Sequence, residues 1–296
     1  MRAIRTVAVP ETYRIRTMSR RDVDVAVAWA AREGWNPGVC DAECFYQADP
    51  DGFLLAEVRG EPVATISAVA YDDAFGFAGF YIVRPDARGR GYGLPLYRAA
   101  LARLHGRNVG GDGVVTMVDK YRQTGFRPAY RNIRFAGTGG KARHATVGEV
   151  KHRDDLVPLT EVPFADVLSY DARHFPVARE TFLRAWLAQP RAIGYAVVAE
   201  DELAGFGVVR PCIAGWKIGP LFADGAAQAD VLFGALATAI PAEPLYLDVP
   251  EVNFAGVELA QRHGLIPAFE TVRMYTRRLP ALPLHEVFGV TSFELG

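Results

Sequence analysis

The chain has 296 residues, is 50% hydrophobic and carries a formal net charge of −1. That length predicts two domains, each large enough for its own core, and the near-neutral balance gives no reason to expect nucleic-acid binding. Residues 1–17 lack the apolar stretch of a signal peptide, no run of about 18 apolar residues could span a membrane, and the three cysteines (Cys40, Cys44, Cys212) are an odd, low count that fits reduced thiols in a cytoplasm.

In chain order, residues 13–17 read as a first strand. Ser19 is placed to cap a helix running to about Glu33, with Val23, Val27 and Ala30 facing inward. The run Gly34-Trp35-Asn36-Pro37-Gly38 breaks it, and Asp41 starts a short helix through Cys44, Phe45 and Tyr46. Residues 53–58 and 62–71 are β-rich runs around Arg59-Gly60-Glu61, which reads as a hairpin turn.

The next segment is the most informative. An apolar run, Phe77 to Val83, leads into Arg84-Pro85-Asp86-Ala87-Arg88-Gly89-Arg90-Gly91-Tyr92-Gly93, and an amphipathic run, Leu94 to Leu104, leaves it. Tyr97, Ala100, Leu101 and Leu104 fall on one helical face, and Pro95 sits in the first turn, where a missing N–H costs nothing. Strand, glycine-rich turn and helix together form a cradle for phosphate, because the first helical N–H groups have no intrahelical partner and the helix dipole favours an anion there. The competing reading is a plain turn with two solvated arginines, Arg88 and Arg90. A P-loop would need a Gly-Lys-Ser/Thr ending, and a Rossmann turn a third glycine where Leu96 stands.

A second motif follows at Asp119-Lys120-Tyr121-Arg122-Gln123-Thr124-Gly125-Phe126, after a candidate strand through Asn108-Val109-Gly110-Gly111-Asp112-Gly113-Val114. Arg88-Gly89-Arg90-Gly91-Tyr92-Gly93 resembles the Arg/Gln-x-x-Gly-x-Gly/Ala loop of the GNAT acetyltransferases, and Tyr121-x-x-x-Gly125-Phe126 resembles their Tyr-x-x-x-Gly-Phe. The order of strand, two helices, three strands, loop, helix, strand and helix is also that of the GNAT core.

The resemblance implies that Arg88, Gly89, Arg90, Gly91, Tyr92 and Gly93 grip the pyrophosphate of acetyl-CoA. Backbone N–H groups near Ile82 and Val83 would polarise the thioester oxygen. The amine would attack directly, and no Cys–His or Gly-x-Ser-x-Gly arrangement argues for a covalent intermediate. Tyr121, with a phenol pKa of about 10 against about 8.5 for a thiol, would protonate the leaving thiolate. Many relatives carry a glutamate base on the strand before the loop, but Phe77 to Val83 contains no acid. Asp112 is the expected substitute, with Asp72, Asp73 and Glu43 behind it. Val114 stands where many relatives have Asn.

The second half reads as a worn copy of the first. Setting Gly264 against Gly125, an offset of 139 residues, places Ala227, Ala229 and Asp230 opposite Arg88, Arg90 and Gly91, and Ala260 opposite Tyr121. This half resembles the YitH-type domain that follows a GNAT domain in bacterial tandem proteins, through Trp216-Lys217-Ile218-Gly219-Pro220, Leu247-Asp248-Val249-Pro250, Phe269-Glu270-Thr271-Val272-Arg273 and the ending Phe288-Gly289-Val290-Thr291-Ser292-Phe293-Glu294-Leu295-Gly296. The expected fold is α/β with a mixed sheet of α+β type: a catalytic domain over residues 1–140, a connection at 141–153 with a closing strand near 146–150, and a degenerate domain over 154–296.

Lys217 is expected either to snorkel from a core edge or to pair with Asp224, Asp248 or Glu270. His105, His144, His174 and His263 show no ligand spacing, so no metal is expected. The function implied is acetylation of a small-molecule primary amine by acetyl-CoA, in the cytoplasm and without nucleic-acid or membrane partners. The alternatives are peptide or protein N-acetylation and a non-catalytic acyl-CoA sensor. Oligomeric state is not legible.

Overall fold

The computed structural model describes residues 12–140 and 154–296. The expected connection at 141–153, with its strand at 146–150, lies outside the described residues.

The first half runs β1 (Tyr13–Thr17), α1 (Arg20–Arg32), α2 (Asp41–Ala48), β2 (Phe53–Val58), β3 (Glu61–Ala70), β4 (Phe75–Val83), α3 (Gly93–Arg103), β5 (Asn108–Val114), α4 (Val118–Arg122) and β6 (Arg127–Thr138). The second repeats that order: β7 (Asp154–Pro158), α5 (Phe164–His174), α6 (Glu180–Leu187), β8 (Ile193–Ala199), β9 (Glu202–Pro211), β10 (Trp216–Ala223), α7 (Ala226–Thr238), β11 (Pro244–Pro250), α8 (Phe254–Arg262) and β12 (Ile266–Tyr275). A short strand, β13 (Val287–Gly289), follows.

Local chemistry accounts for these elements. Ser19 and Asp22 form a reciprocal capping box that satisfies two N–H groups at the start of α1, and Val23, Ala26, Val27, Trp29 and Ala30 bury the inner face. Arg59 and Gly60, both at positive φ, close the tight hairpin between β2 and β3. Leu96, Tyr97 and Ala100 of α3, with Leu104 just past its end, are buried in a core shared with Ala64, Ile66 and Ala68 of β3. Across the sheet, α1 and α2 share a core with Phe80 and Ile82 of β4 and with Phe182 and Trp186 of α6.

All strands join one mixed sheet in the order β1-β2-β3-β4-β5-β12-β6-β11-β10-β9-β8-β7, with β13 beside β10. The halves have therefore exchanged their last long strands. β12 of the second half pairs with β5 of the first, and β6 of the first pairs with β11 of the second. A boundary after residue 140 divides the chain by repeat, not by packing.

Among the described strands, each half contains one parallel pair. β4 and β5 run together only over Phe75–Phe77 and Asn108–Gly110, and β10 and β11 only over Trp216–Ile218 and Leu245–Leu247. Beyond those registers each pair splays. The first split is open. The second is filled, because β13 lies against the far end of β10 at Leu221 and Phe222.

Candidate active site

A cavity of about 680 Å³ occupies the split between β4 and β5. One end is the loop 84–92 with the start of α3. Gly89 and Gly91 adopt φ of +76° and +83°, a region in which other residues are strained, so the loop turns with its backbone exposed to the cavity. Tyr92, the residue before α3, makes no side-chain cap, which leaves the first N–H groups of this eleven-residue helix free for an anion.

The three loop arginines differ, and Arg84 pairs with Asp86 within the loop. Arg88 is tied to Glu33 by an ion pair and donates from Nε to the Val83 carbonyl at 2.9 Å, so its side chain fixes the loop to the end of α1. Arg90 is exposed and has no hydrogen bond or ion pair among the described residues. Tyr92 is anchored by Tyr13, whose hydroxyl donates to its carbonyl at 2.8 Å.

The strand beneath the loop is bulged. Thr65 and Ser67 of β3 face Ile82 and Gly79 of β4, so an extra residue stands between, and Phe80 there has φ of +49°. Past the bulge the ladder alternates. The Arg84 N–H donates to the Val63 carbonyl at 2.9 Å, which turns the Val83 N–H away from β3 and towards the split. By the same alternation Tyr81 shares that side, whereas the Ile82 N–H faces β3. Of the two N–H groups singled out in the sequence, only that of Val83 points towards the split, and that of Tyr81 shares its direction.

Tyr121 lines the cavity beside Tyr81 and Tyr97. Its ring lies against β5, where a Cβ at Gly113 would approach it to 2.8 Å, so only glycine fits there. The Thr124 hydroxyl donates to the Tyr121 carbonyl and meets the Tyr97 hydroxyl, each at 2.8 Å, which locks α4 to α3. Burial pushes the Tyr121 phenol well above its ordinary value, and the neighbouring Tyr97 and Tyr81 add to this.

Asp112 also borders the cavity, but its carboxylate has another occupation. Arg273 of β12 grips both oxygens, at 2.9 and 2.7 Å, and Asn132 of β6 donates to one at 2.9 Å. Burial pushes the Asp112 carboxyl up and the Arg273 guanidinium opposes it. A carboxylate held in a fork by two exchanged strands is suited to fixing the sheet beside the site, not to collecting protons. Of the other acids, Glu43 pairs with Arg20, Asp72 accepts from the turn N–H groups of Ala74 and Phe75, and Asp73 is fully exposed near Arg107.

The far end of the cavity is lined by Trp35 and Phe80 from the first half and by Phe269, Thr271, Phe293 and Glu294 from the second. The four from the second half lie within stretches that resemble the YitH-type domain, with no site role attached to them in the sequence. Glu294 is 2% exposed, and neither of its carboxylate oxygens has a hydrogen-bond partner; the Thr271 hydroxyl is likewise buried and unpartnered. A further signal was the departure on β4, an acid missing from its usual strand.

The second half lacks the phosphate cradle for a reason different from the one expected. Ala227, Ala229 and Asp230 lie inside α7, and only Asp224 and Gly225 separate β10 from it. The loop is deleted, not substituted. Asp230 instead accepts from His263 at 2.9 Å. Lys217 does not snorkel: it is fully buried, with Nζ 3.8 Å from Asp248. Among the described residues no group of three His, Cys, Asp or Glu side chains is placed to hold a metal ion, and no helix is long and apolar enough to cross a membrane.

Comparisons with known proteins agree with this geometry. Residues 4–126 match the acetyltransferase (GNAT) family, and residues 167–289 match an acetyltransferase (GNAT) domain. The holothin acyltransferase of Pseudoalteromonas sp. (strain SANK 73390) is 30% identical over 287 residues, spanning 97% of this chain and 95% of that protein. In fold, the chain is similar to a putative acetyltransferase from Pyrococcus horikoshii, with a TM-score of 0.79 at 22% identity over 98% of both chains. It is also similar to a tandem GNAT protein from the clavulanic acid biosynthesis pathway, with a TM-score of 0.64 at 15% identity over 89% of this chain and 98% of that one. An open first split with its loop, a filled second split and a full-length acyltransferase relative lead to one conclusion: the chain belongs to the GNAT acetyltransferases and carries two GNAT domains in tandem.

Proposed function

We propose that this protein transfers the acetyl group of acetyl-CoA to the primary amine of a small molecule. The observation that carries the reading is the continuity of one cavity, from the anion-binding loop at one end to an aromatic compartment walled by both halves at the other. The pyrophosphate would sit on the N–H groups of residues 88–93, with Arg90 adding charge. The thioester oxygen would accept from the Val83 N–H, with Tyr81 on the same side.

Holding thioester and amine together in that cavity accounts for about 7–11 kcal/mol of the barrier by proximity. The amine nitrogen forms a bond to the thioester carbon, the carbon–sulfur bond breaks, and Tyr121 gives its proton to the sulfur. A phenol is protonated at neutral pH, and burial, which raises its pKa further, keeps the proton on Tyr121 until charge develops on sulfur.

The Pseudoalteromonas relative is named for acylating holothin, which supports a small-molecule acceptor here. Peptide acetylation fits less well, because Phe269, Phe293 and Glu294 wall the acceptor end that a peptide would have to cross. A sensor without turnover has no need for Tyr121 beside the sulfur. The test is incubation with acetyl-CoA and a panel of benzylamine, tyramine and tryptamine, following free thiol and product mass. Tight acetyl-CoA binding without thiol release from any amine would favour the sensor.

A further inference from the structure

The acid missing from β4 has a replacement from the other half of the chain. After β13 fills the second split, residues 290–296 run into the first half. The Asp248 carbonyl accepts from the Val290 N–H at 2.8 Å, Arg179 donates to the Thr291 hydroxyl at 2.7 Å, and the Tyr71 hydroxyl donates to the Leu295 carbonyl at 3.0 Å. This path lays the backbone of Glu294 directly on Gly79, one residue before the bulge of β4. A Cβ at Gly79 would lie 2.1 Å from the Glu294 carbonyl oxygen, so the strand carries glycine where the segment crosses it.

Resting on the acetyl-transfer reading, we propose that Glu294 is the base that takes the proton from the acceptor ammonium, directly or through one water. Three observations support it. Glu294 lines the acceptor end of the cavity, near the bulge within β4, whose Val83 N–H would meet the thioester. Both of its oxygens are buried and unpartnered, whereas Asp112 has its oxygens filled by Arg273 and Asn132. It also stands before a set of buried charges that can tune it.

The groups facing it are Lys217 of β10, Arg134 of β6, Arg210 of β9 and Asp41 of α2. Arg134 is committed to Asp248 and Arg210 to Asp41, each through two hydrogen bonds, but the Lys217 ammonium has no hydrogen bond. Burial pushes the Glu294 carboxyl up, and Lys217 is the strongest influence holding it down.

The protons balance. The ammonium gives one to Glu294, and nitrogen attacks as the carbon–sulfur bond breaks. The second nitrogen proton replaces the one Tyr121 delivers to sulfur, and Glu294 releases its own to solvent. The products are the amide, the free thiol of coenzyme A and one proton.

The experiment is the pH profile of kcat/KM for the fastest amine of the panel, in the wild type, Glu294→Gln and Lys217→Met, with acetyl-CoA affinity measured by calorimetry. Glu294→Gln should lose about 10²–10⁴-fold near pH 7. Its rate should climb with pH as the free amine fraction grows, so the deficit shrinks towards the amine pKa. Lys217→Met should keep the acid limb but move it to higher pH. Both should bind acetyl-CoA as the wild type does, which separates a lost base from a lost fold. A Glu294→Gln enzyme with the wild-type rate and profile overturns the assignment. So does a Glu294→Gln enzyme slowed by the same factor at every pH, since that is the mark of altered packing. A wild type that neither binds acetyl-CoA nor acetylates any amine of the panel overturns this proposal together with the function on which it rests.

Discussion

Asp41, at the start of α2, and Arg210, on β9, meet across the seam between the halves through two hydrogen bonds of 2.8 and 2.9 Å, with neither side chain reaching solvent. The Arg210 guanidinium also lies over the Trp186 ring, 4.1 Å from its centre. Two buried charges in this geometry hold the halves in register, and removing one leaves the other stranded. Asp41→Ala should cost about 3–5 kcal/mol in urea unfolding, whereas Asp41→Leu combined with Arg210→Met should cost clearly less than Asp41→Ala alone. Equal losses in both would mean that the seam is held by packing alone.

The anion-binding loop makes a second prediction. Gly91 sits at φ of +83° on the cavity wall, where a side chain adds strain and an acid adds repulsion. Gly91→Asp should abolish acetyl-CoA binding in calorimetry while circular dichroism and melting temperature stay close to those of the wild type. Unchanged affinity in a folded variant would place the pyrophosphate elsewhere.

Stoichiometry is the third. The second half has only Asp224 and Gly225 where the first has the loop 84–92, and β13 fills its split. Equilibrium dialysis should find one acetyl-CoA per chain. Two sites of comparable affinity would contradict this account of β13.

Tyr121→Phe keeps the ring against Gly113 and removes only the hydroxyl. If the phenol protonates the thiolate, kcat should fall by about 10²–10⁴-fold with little change in acetyl-CoA affinity, because the proton matters only as charge develops on sulfur. Near-normal turnover, measured where chemistry limits the rate, would reduce Tyr121 to a packing residue.

Glu294 makes a prediction about stability that does not depend on catalysis. Burial raises its carboxyl in the folded chain above its ordinary value of 4.5, even though Lys217 opposes the shift. The folded state therefore holds this proton more tightly than the unfolded chain. The resulting stabilisation is complete below the ordinary carboxyl value and is lost as pH rises through the folded pKa. Glu294→Gln should match the wild type in melting temperature near pH 4 and exceed it progressively towards neutral pH. A difference that is flat with pH would show that ionisation of Glu294 carries no cost.

Much of the architecture was legible because it is written locally. Ser19 with its capping partner, the Arg59-Gly60 turn, the buried face of α3 and the glycines at 89 and 91 each act within a few residues, and the duplicated element order follows from them. Three features were not legible, because each depends on what lies opposite in space. Asp112 stands in the motif strand as an acid should, yet its partner Arg273 arrives from a strand 161 residues away. The fixed offset put Asp230 in a loop that deletion had removed. Glu294 lies in an ending that resembles the YitH-type domain but carries no site role there, and its place on Gly79 is set by the path of the chain after β13.

The exchange of β6 and β12 bears on how the site comes into being as the ribosome emits the chain. When residues 12–140 have emerged, the loop, Tyr121 and most of the cavity's floor exist in sequence, but the edge of β5 is unpaired, because β12 has not been made. An open edge beside an aromatic cleft invites pairing with the wrong strand. The same delay keeps Phe269, Phe293 and Glu294 from the acceptor end until nearly the whole described chain is available. A first half alone would thus lack Phe269, Phe293 and Glu294, so the cavity as described is completed only by residues of the second half.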